Sequence, residues 1–182
     1  MNESISQLFK QSRWLLLALG LSLVSVAIVK ISAIAAVPEK VSFYGSPDSP
    51  IASAVSVPIG QAYFWTSGTV PPVMNERAPA GSRDRYGDTK TQAIGTLKRI
   101  EQLLKEVGLS MSDVTYLRVY LVTDKFKDNK VDYQGWFDAY SQYFNNPQNP
   151  TKTARSTVAV AGLVNPDWLI EIEAVAVFPK SK

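Results

Sequence analysis

Thr153-Ala154-Arg155-Ser156-Thr157-Val158-Ala159-Val160-Ala161-Gly162-Leu163, a turn around Asn165-Pro166-Asp167, and Leu169-Ile170-Glu171-Ile172-Glu173-Ala174-Val175-Ala176-Val177-Phe178 together decide the fold. On both sides of the turn β-branched residues alternate with small or polar ones, the pattern of two strands. In the second strand a period of two sets Ile170, Ile172, Ala174 and Ala176 on one face and Glu171 and Glu173 on the other. One face is core and the other carries two carboxylates.

Upstream, Ala52 to Pro58 and Ala62 to Gly68 have the composition of two short strands around Pro58-Ile59-Gly60-Gln61, the second running through Tyr63-Phe64-Trp65 into Ser67-Gly68. Val70 to Tyr86 is a loop by its prolines; at 17 residues it is longer than most structureless connections, which hints that it covers something or crosses a partner. The clearest helix spans Thr89 to Val107. Thr89 and Gln92 match a capping box, Ala93, Leu97, Ile100, Leu104 and Val107 recur on one face, and Gly108-Leu109 supplies a left-handed, hydrophobic end. Lys98, Arg99, Glu101 and Lys105 are its wet side.

Val114 to Val122 follows as a strand, with Thr115, Leu117, Val119 and Leu121 opposite Tyr116, Arg118 and Tyr120. Thr123 to Asp132 is a charged excursion. Its Asp124, Asp128 and Asp132 lack the Gly and the terminal Glu of a calcium loop, so no metal is expected there. Helical spacing resumes over Val131 to Phe144 through Tyr133, Trp136 or Phe137, Tyr140 and Phe144, an aromatic stripe suited to packing on a sheet. Strands, helix, strand, helix and two strands make an α+β fold: a mixed β-sheet with two helices packed on one face.

The 182 residues, 46% of them apolar, suit one domain with an appendage. The absence of both Cys and His excludes disulfides, thiolate nucleophiles, Ser-His-Asp triads and most zinc or haem sites, so no cofactor or metal is expected. The appendage is residues 1–35. After a polar, weakly positive start, Trp14 to Val29 is an unbroken apolar run of 16 residues, shorter than the roughly 20 of a membrane span. Ser32-Ala33-Ile34-Ala35-Ala36 then offers the small residues a signal peptidase takes, which predicts cleavage before Ala36. The competing expectation is an uncleaved membrane anchor with Lys30 snorkelling. Either way the domain lies outside the cytoplasmic membrane, periplasmic or otherwise extracytoplasmic, and touches the membrane only through an uncleaved leader. Residues 36–50 are a linker or entering edge strand broken by Pro38, Gly45, Pro47 and Pro50, and 51–182 form the domain. Lys10, Arg13 and Lys30 against Glu3 place +2 of the net +3 charge in the leader, so the domain has no basic track for a nucleic acid.

Ala154-Arg155-Ser156-Thr157-Val158, a short turn and Ile170-Glu171-Ile172-Glu173-Ala174 closely resemble the C-terminal signature of the RidA family, also called YjgF or, by its older name, L-PSP endoribonuclease. The resemblance continues through Gln92 to Leu121 and more weakly to Ser53. It implies the chorismate-mutase-like fold and a homotrimer with sites in clefts between subunits. It also implies hydrolysis of 2-imino or enamine acids to 2-oxo acids and ammonia: Arg155 would hold the small-molecule carboxylate, Glu171 would orient the attacking water, and Ser67 and Gly68 would lay their backbone beside the ligand. Glu173 stays structural.

Three positions depart from the family pattern. Gly-Pro-Tyr-Ser-Gln-Ala is replaced by Ser49-Pro50-Ile51-Ala52-Ser53-Ala54, the Asn of the second helix falls at about Phe137, and Ser-Gly-Gln ends as Ser67-Gly68-Thr69. Two polar contacts thus become apolar bulk. The alternatives to a deaminase are a carboxylate-binding protein without chemistry and the ribonuclease of the older name, which the near-neutral domain and the missing His oppose.

Overall fold

The computed structural model describes residues 37–179; the expected leader, with its cleavage or anchoring, falls outside them. In chain order the strands are β1 (Ser42–Tyr44), β2 (Ala54–Ser56), β3 (Tyr63–Trp65), β4 (Val114–Leu121), β5 (Thr123–Asp124), β6 (Lys130–Val131), β7 (Ala154–Ala159) and β8 (Ile170–Val177). The helices are α1 (Arg83–Tyr86), α2 (Thr89–Glu106) and α3 (Tyr133–Tyr140), with a 3-10 turn at Met111–Asp113.

Four strands form a mixed sheet in the order β3-β8-β4-β7, parallel between β4 and β7 and antiparallel elsewhere. The signature strands β7 and β8 are consecutive but do not pair, because β4 lies between them. The turn at Asn165-Pro166-Asp167 therefore crosses β4, with Asn165 Oδ1 accepting from the Asp167 N–H. Within the segment expected as linker or edge strand, β1 pairs antiparallel with β2, and Ala52 bridges Ala154 at the β7 edge.

Burial follows the alternation. Leu117, Val119 and Leu121 of β4 and Ile170, Ile172, Ala174 and Ala176 of β8 are at most 1% exposed, and α2 covers them with Ala93, Leu97, Ile100 and Leu104. Each buried Leu, Ile or Val side chain contributes about 1.5–3 kcal/mol and each Ala methyl about 0.8 kcal/mol. Trp136, Tyr140 and Phe144 add an aromatic ladder, with Tyr140 and Phe144 stacked at 5.0 Å. Tyr133 and Phe137 are 40% and 39% exposed, so of the expected aromatic stripe Trp136, Tyr140 and Phe144 are core. Val107 is likewise exposed, because α2 has already ended.

The caps differ from expectation at one end of α2 and match it at the other. Asp88, not Thr89, is the N-cap: its carboxylate accepts from the Thr91 N–H at 2.9 Å. Gln92 is thereby free to tie loops together, donating to Gly87 O and Asp167 O and accepting from the Leu169 N–H at 2.7 Å. At the far end Gly108 has φ 78°, its N–H reaches Lys105 O, and the Leu109 N–H reaches Leu104 O. This is a Schellman closure with Leu109 buried beneath it.

The 123–132 excursion is a small hairpin, β5 against β6, turning through Asp128 and Asn129 with positive φ. Its three aspartates do separate work. Asp124 is fully buried against Arg83, Asp132 caps α3 at the Gly135 N–H and pairs with Lys127, and Asp128 stays at the surface, 3.8 Å from Lys130. The long loop expected over Val70 to Tyr86 ends in one helical turn, α1, which presents Arg83 to this hairpin.

Candidate active site

Arg155 enters β7 opposite Leu117 of β4, and Leu117 is core, so Arg155 lies on the helix-covered face of the sheet at its open edge. Three rings of α3 and its C-terminal turn receive the guanidinium: Tyr140 at 4.3 Å, Phe137 at 4.8 Å and Trp136 at 5.5 Å. The rings supply quadrupole attraction but no acceptors. No carboxylate among the described residues pairs with Arg155, and its buried Nη1 has no hydrogen-bond partner. Burial lowers the guanidinium pKa, and the facing Tyr140 phenol, itself pushed up to about 12 by burial, offsets part of that. Of the family departures, Phe137 lies directly against Arg155, while Ile51, next to the Ala52 that bridges Ala154, is partly buried against the core.

Glu171 belongs to the other face. It stands opposite Tyr120 of β4, outside the core, while Glu173 two residues on is engaged by Arg118 at 2.9 Å and the Tyr120 hydroxyl at 3.1 Å. Glu171 has no ion-pair partner among the described residues. The adjacent strand bends to meet it. Trp65 pairs with Val175 and Thr69 with Ile172, so four steps along one strand match three along the other, a one-residue bulge at Thr66 to Gly68. Thr66 Oγ1 takes the Ala174 N–H within it. The bulge presses Gly68 onto Glu171: a Cβ placed on Gly68 would lie 1.7 Å from Glu171 Oε1. Any side chain at position 68 would push the Glu171 carboxylate out of this place.

The predicted residues therefore form two groups. Ser67, Gly68 and Glu171 come together on the open face of the sheet. Arg155 lies with Phe137 at the β7 edge, on the helix face, with β4 between it and β8. Within one chain Arg155 and Glu171 do not meet. The open face also leaves Tyr63, Trp65 and Val158 49%, 65% and 43% exposed beside Tyr116, Arg118 and Tyr120. The aromatic setting of Arg155 was visible only as a helical stripe; that the stripe faces β7 required the fold.

A mixed four-stranded sheet under two helices, with Ala-Arg-Ser on the edge strand and Glu-x-Glu on an inner one, defines the class. The family described as Endoribonuclease L-PSP matches residues 50–178, and the chain belongs to it, among the RidA or YjgF proteins. The 3-aminoacrylate deaminase RutC of Acinetobacter baylyi is 32% identical over 132 residues, 72% of this chain and 91% of the relative. A RutC family protein of Pyrococcus abyssi is 38% identical over 92 residues, half of this chain and 62% of its own length. Among solved structures, YyfB of Yersinia pestis, a Rid family protein of unknown function, superposes with a TM-score of 0.57 at 21% identity, covering 76% of this chain and 99% of its own. That likeness is one of fold.

Proposed function

We propose that the protein is an exported hydrolase that converts 2-imino or enamine acids to 2-oxo acids and ammonia, in sites built between copies of the chain. The observation that carries this reading is Arg155: a buried, ring-stacked guanidinium whose Nη1 has no protein acceptor suits the two-pronged grip of a ligand carboxylate. The deaminase named in a relative 32% identical supports the reaction class. The opposite-face placement of Arg155 and Glu171, and the exposed aromatic rows on the open face, support sites shared between copies of the chain in a homotrimer.

With the acid on Arg155, water held by Glu171 attacks the C=N carbon while Glu171 takes its proton. That proton passes to the imine nitrogen to give the carbinolamine; the same carboxylate then carries the hydroxyl proton to the amino group as the C–N bond breaks, so ammonia leaves and the C=O remains. Gly68 holds the ligand close because nothing projects from it toward the carboxylate.

Steady-state imine hydrolysis by the full chain, with Arg155→Met and Glu171→Gln prepared separately and then refolded together, tests the proposal. Each variant alone is expected to be inactive, and co-refolding restores about a quarter of wild-type activity, since one interface in four then pairs intact residues. No recovery would remove the shared site. Wild type that binds a 2-oxo acid through Arg155 yet hydrolyses nothing would be the non-catalytic binding protein, a reading favoured by Ile51 and Phe137 in place of polar family residues. N-terminal sequencing from cell envelopes tests export; a cytoplasmic protein beginning at Met1 would sink it.

A further inference from the structure

Arg155, Glu171, Ser67 and Gly68 line none of the walls of a cavity of about 310 Å³ beyond the C-terminal end of β4, between α1, the β5–β6 hairpin and the turn before β8. Its volume falls at the lower end of small-molecule sites. The walls come from three remote segments that charged hydrogen bonds fix to one another. Arg83 Nη2 donates to both Asp124 oxygens at 2.7 and 2.6 Å, Lys125 Nζ to Gly81 O at 2.7 Å, and the Gly81 N–H to Asp167 Oδ2 at 2.7 Å. The opening is thus preorganised.

The polar groups divide unequally. The acceptors are already engaged: Asp124, 1% exposed, takes Arg83 and the Phe126 N–H, and Asp167, 11% exposed, takes Gly81. What remains are donors. Lys125, 55% exposed, spends one ammonium hydrogen on Gly81 O and has two more, its nearest carboxylate oxygen being Asp167 Oδ1 at 4.0 Å, while Ser82 Oγ and Trp168 Nε1 are buried with no partner. Beside them the Phe126 ring, 54% exposed, lies 5.2 Å from the Lys125 ammonium and 4.6 Å from the Arg83 guanidinium. A set of donors beside an open ring takes an acceptor joined to something flat and apolar.

We propose that this cavity is a second small-molecule site, for a carboxylate with a planar apolar body: the acid against Lys125 and the buried donors, the body on Phe126 and Trp168. A cation is disfavoured because both carboxylates are already occupied.

Phenylacetate is the probe, titrated into 15N-labelled full-length protein while the Trp168 indole N–H signal, assigned with Trp168→Phe, is followed. The expected result is a saturable shift with a Kd below about 1 mM. Acetate and 2-phenylethanol, each lacking half of the ligand, should bind at least about tenfold more weakly, as should Lys125→Met, whereas Arg155→Met should leave the titration unchanged. Ser82→Ala, a smaller change to the loop, should weaken binding about threefold or more. Absence of saturation to about 10 mM, equal affinity for 2-phenylethanol, unchanged affinity in both the Lys125 and Ser82 variants, or loss of the response in Arg155→Met would each overturn the proposal.

Discussion

Arg83 and Arg155 are both partly buried and both lie over aromatic rings, yet their surroundings are opposite. Arg83 meets Phe126 at 4.6 Å and grips both oxygens of Asp124, a carboxylate with no exposure of its own. Arg155 meets three rings and no carboxylate, and its Nη1 is left without an acceptor. The first arrangement is closed: Nη2 meets the Asp124 carboxylate and Nη1 the Gly87 carbonyl oxygen. The second is open, and holding a desolvated cation in that state costs free energy that a bound acid would recover. What separates the two arginines is the acceptors around their nitrogens, not burial or ring contacts.

The largest expected effect breaks the closed pair. Arg83→Met leaves Asp124 charged, buried and unpaired, which lowers unfolding free energy by about 3–5 kcal/mol. Adding Asp124→Leu should recover most of it, because an apolar pair of similar volume needs no compensation. Urea unfolding midpoints of the single and double variants decide this; a single variant within about 1 kcal/mol of wild type would show that water already reaches the pair.

Breaking the open site is expected to act on ligand rather than on fold. Arg155→Lys keeps the charge and loses the planar fork, so 2-oxobutanoate binding should weaken by about 2 kcal/mol or more, roughly 30-fold. Glu171→Gln should leave that Kd within about threefold while turnover drops about 100-fold, the usual range for a lost general base. Calorimetric titration with parallel kinetics separates them. Equal losses of binding in both variants would place Glu171 among the anchors and not beside the water.

A third expectation uses the ring that faces the open arginine. Burial pushes the Tyr140 phenol up to about 12, the Arg155 charge pulling the other way, whereas an unfolded phenol titrates near 10. The folded state then keeps a proton that the unfolded state has lost. Tyr140 therefore contributes its full stabilisation below pH 10 and loses it as pH rises toward 12, by up to about 2 kcal/mol. The difference in unfolding free energy between wild type and Tyr140→Phe should shrink across that window. A constant difference would mean that water reaches the phenol in the folded protein.

Much of the fold could be read from the chain because its strongest signals are periodic. Alternation in β8 and β4 and the spacing in α2 are local, and burial followed them from Ile170 to Ala174 and from Ala93 to Leu104, while Val175 and Val177 at the end of β8 are buried on the second face as well. Asp88 was missed as the α2 cap because Thr89 and Gln92 imitate a capping box one residue later. Gln92 was really needed for a contact 77 residues away, at Leu169. Non-local pairings of this kind leave no period behind. The separation of β7 from β8 by β4 is another, as is the clamp from Arg83 to Asp124, whose two ends looked like ordinary loop charges. At the candidate site the residue types were legible as a resemblance, but the faces were not: placing Arg155 and Glu171 on opposite sides of the sheet requires the register of both strands against β4.

The smallest expected effect is the sharpest test of the contrast between the two arginines. Arg155→Met removes three ring contacts, worth about 0.5–1 kcal/mol each where solvent still reaches them. It also removes the cost of holding a guanidinium nitrogen away from water without an acceptor, about 1–3 kcal/mol, and a methionine sulfur packs well on the same rings. These contributions oppose one another. The variant should unfold within about 1 kcal/mol of wild type, where Arg83→Met loses several times that. Thermal and urea midpoints measured on both proteins in the same buffer supply the comparison. If Arg155→Met proves as damaging as Arg83→Met, then the rings and the strand edge depend on Arg155 for their packing, and its open nitrogen is a by-product of structure instead of a place kept for a ligand.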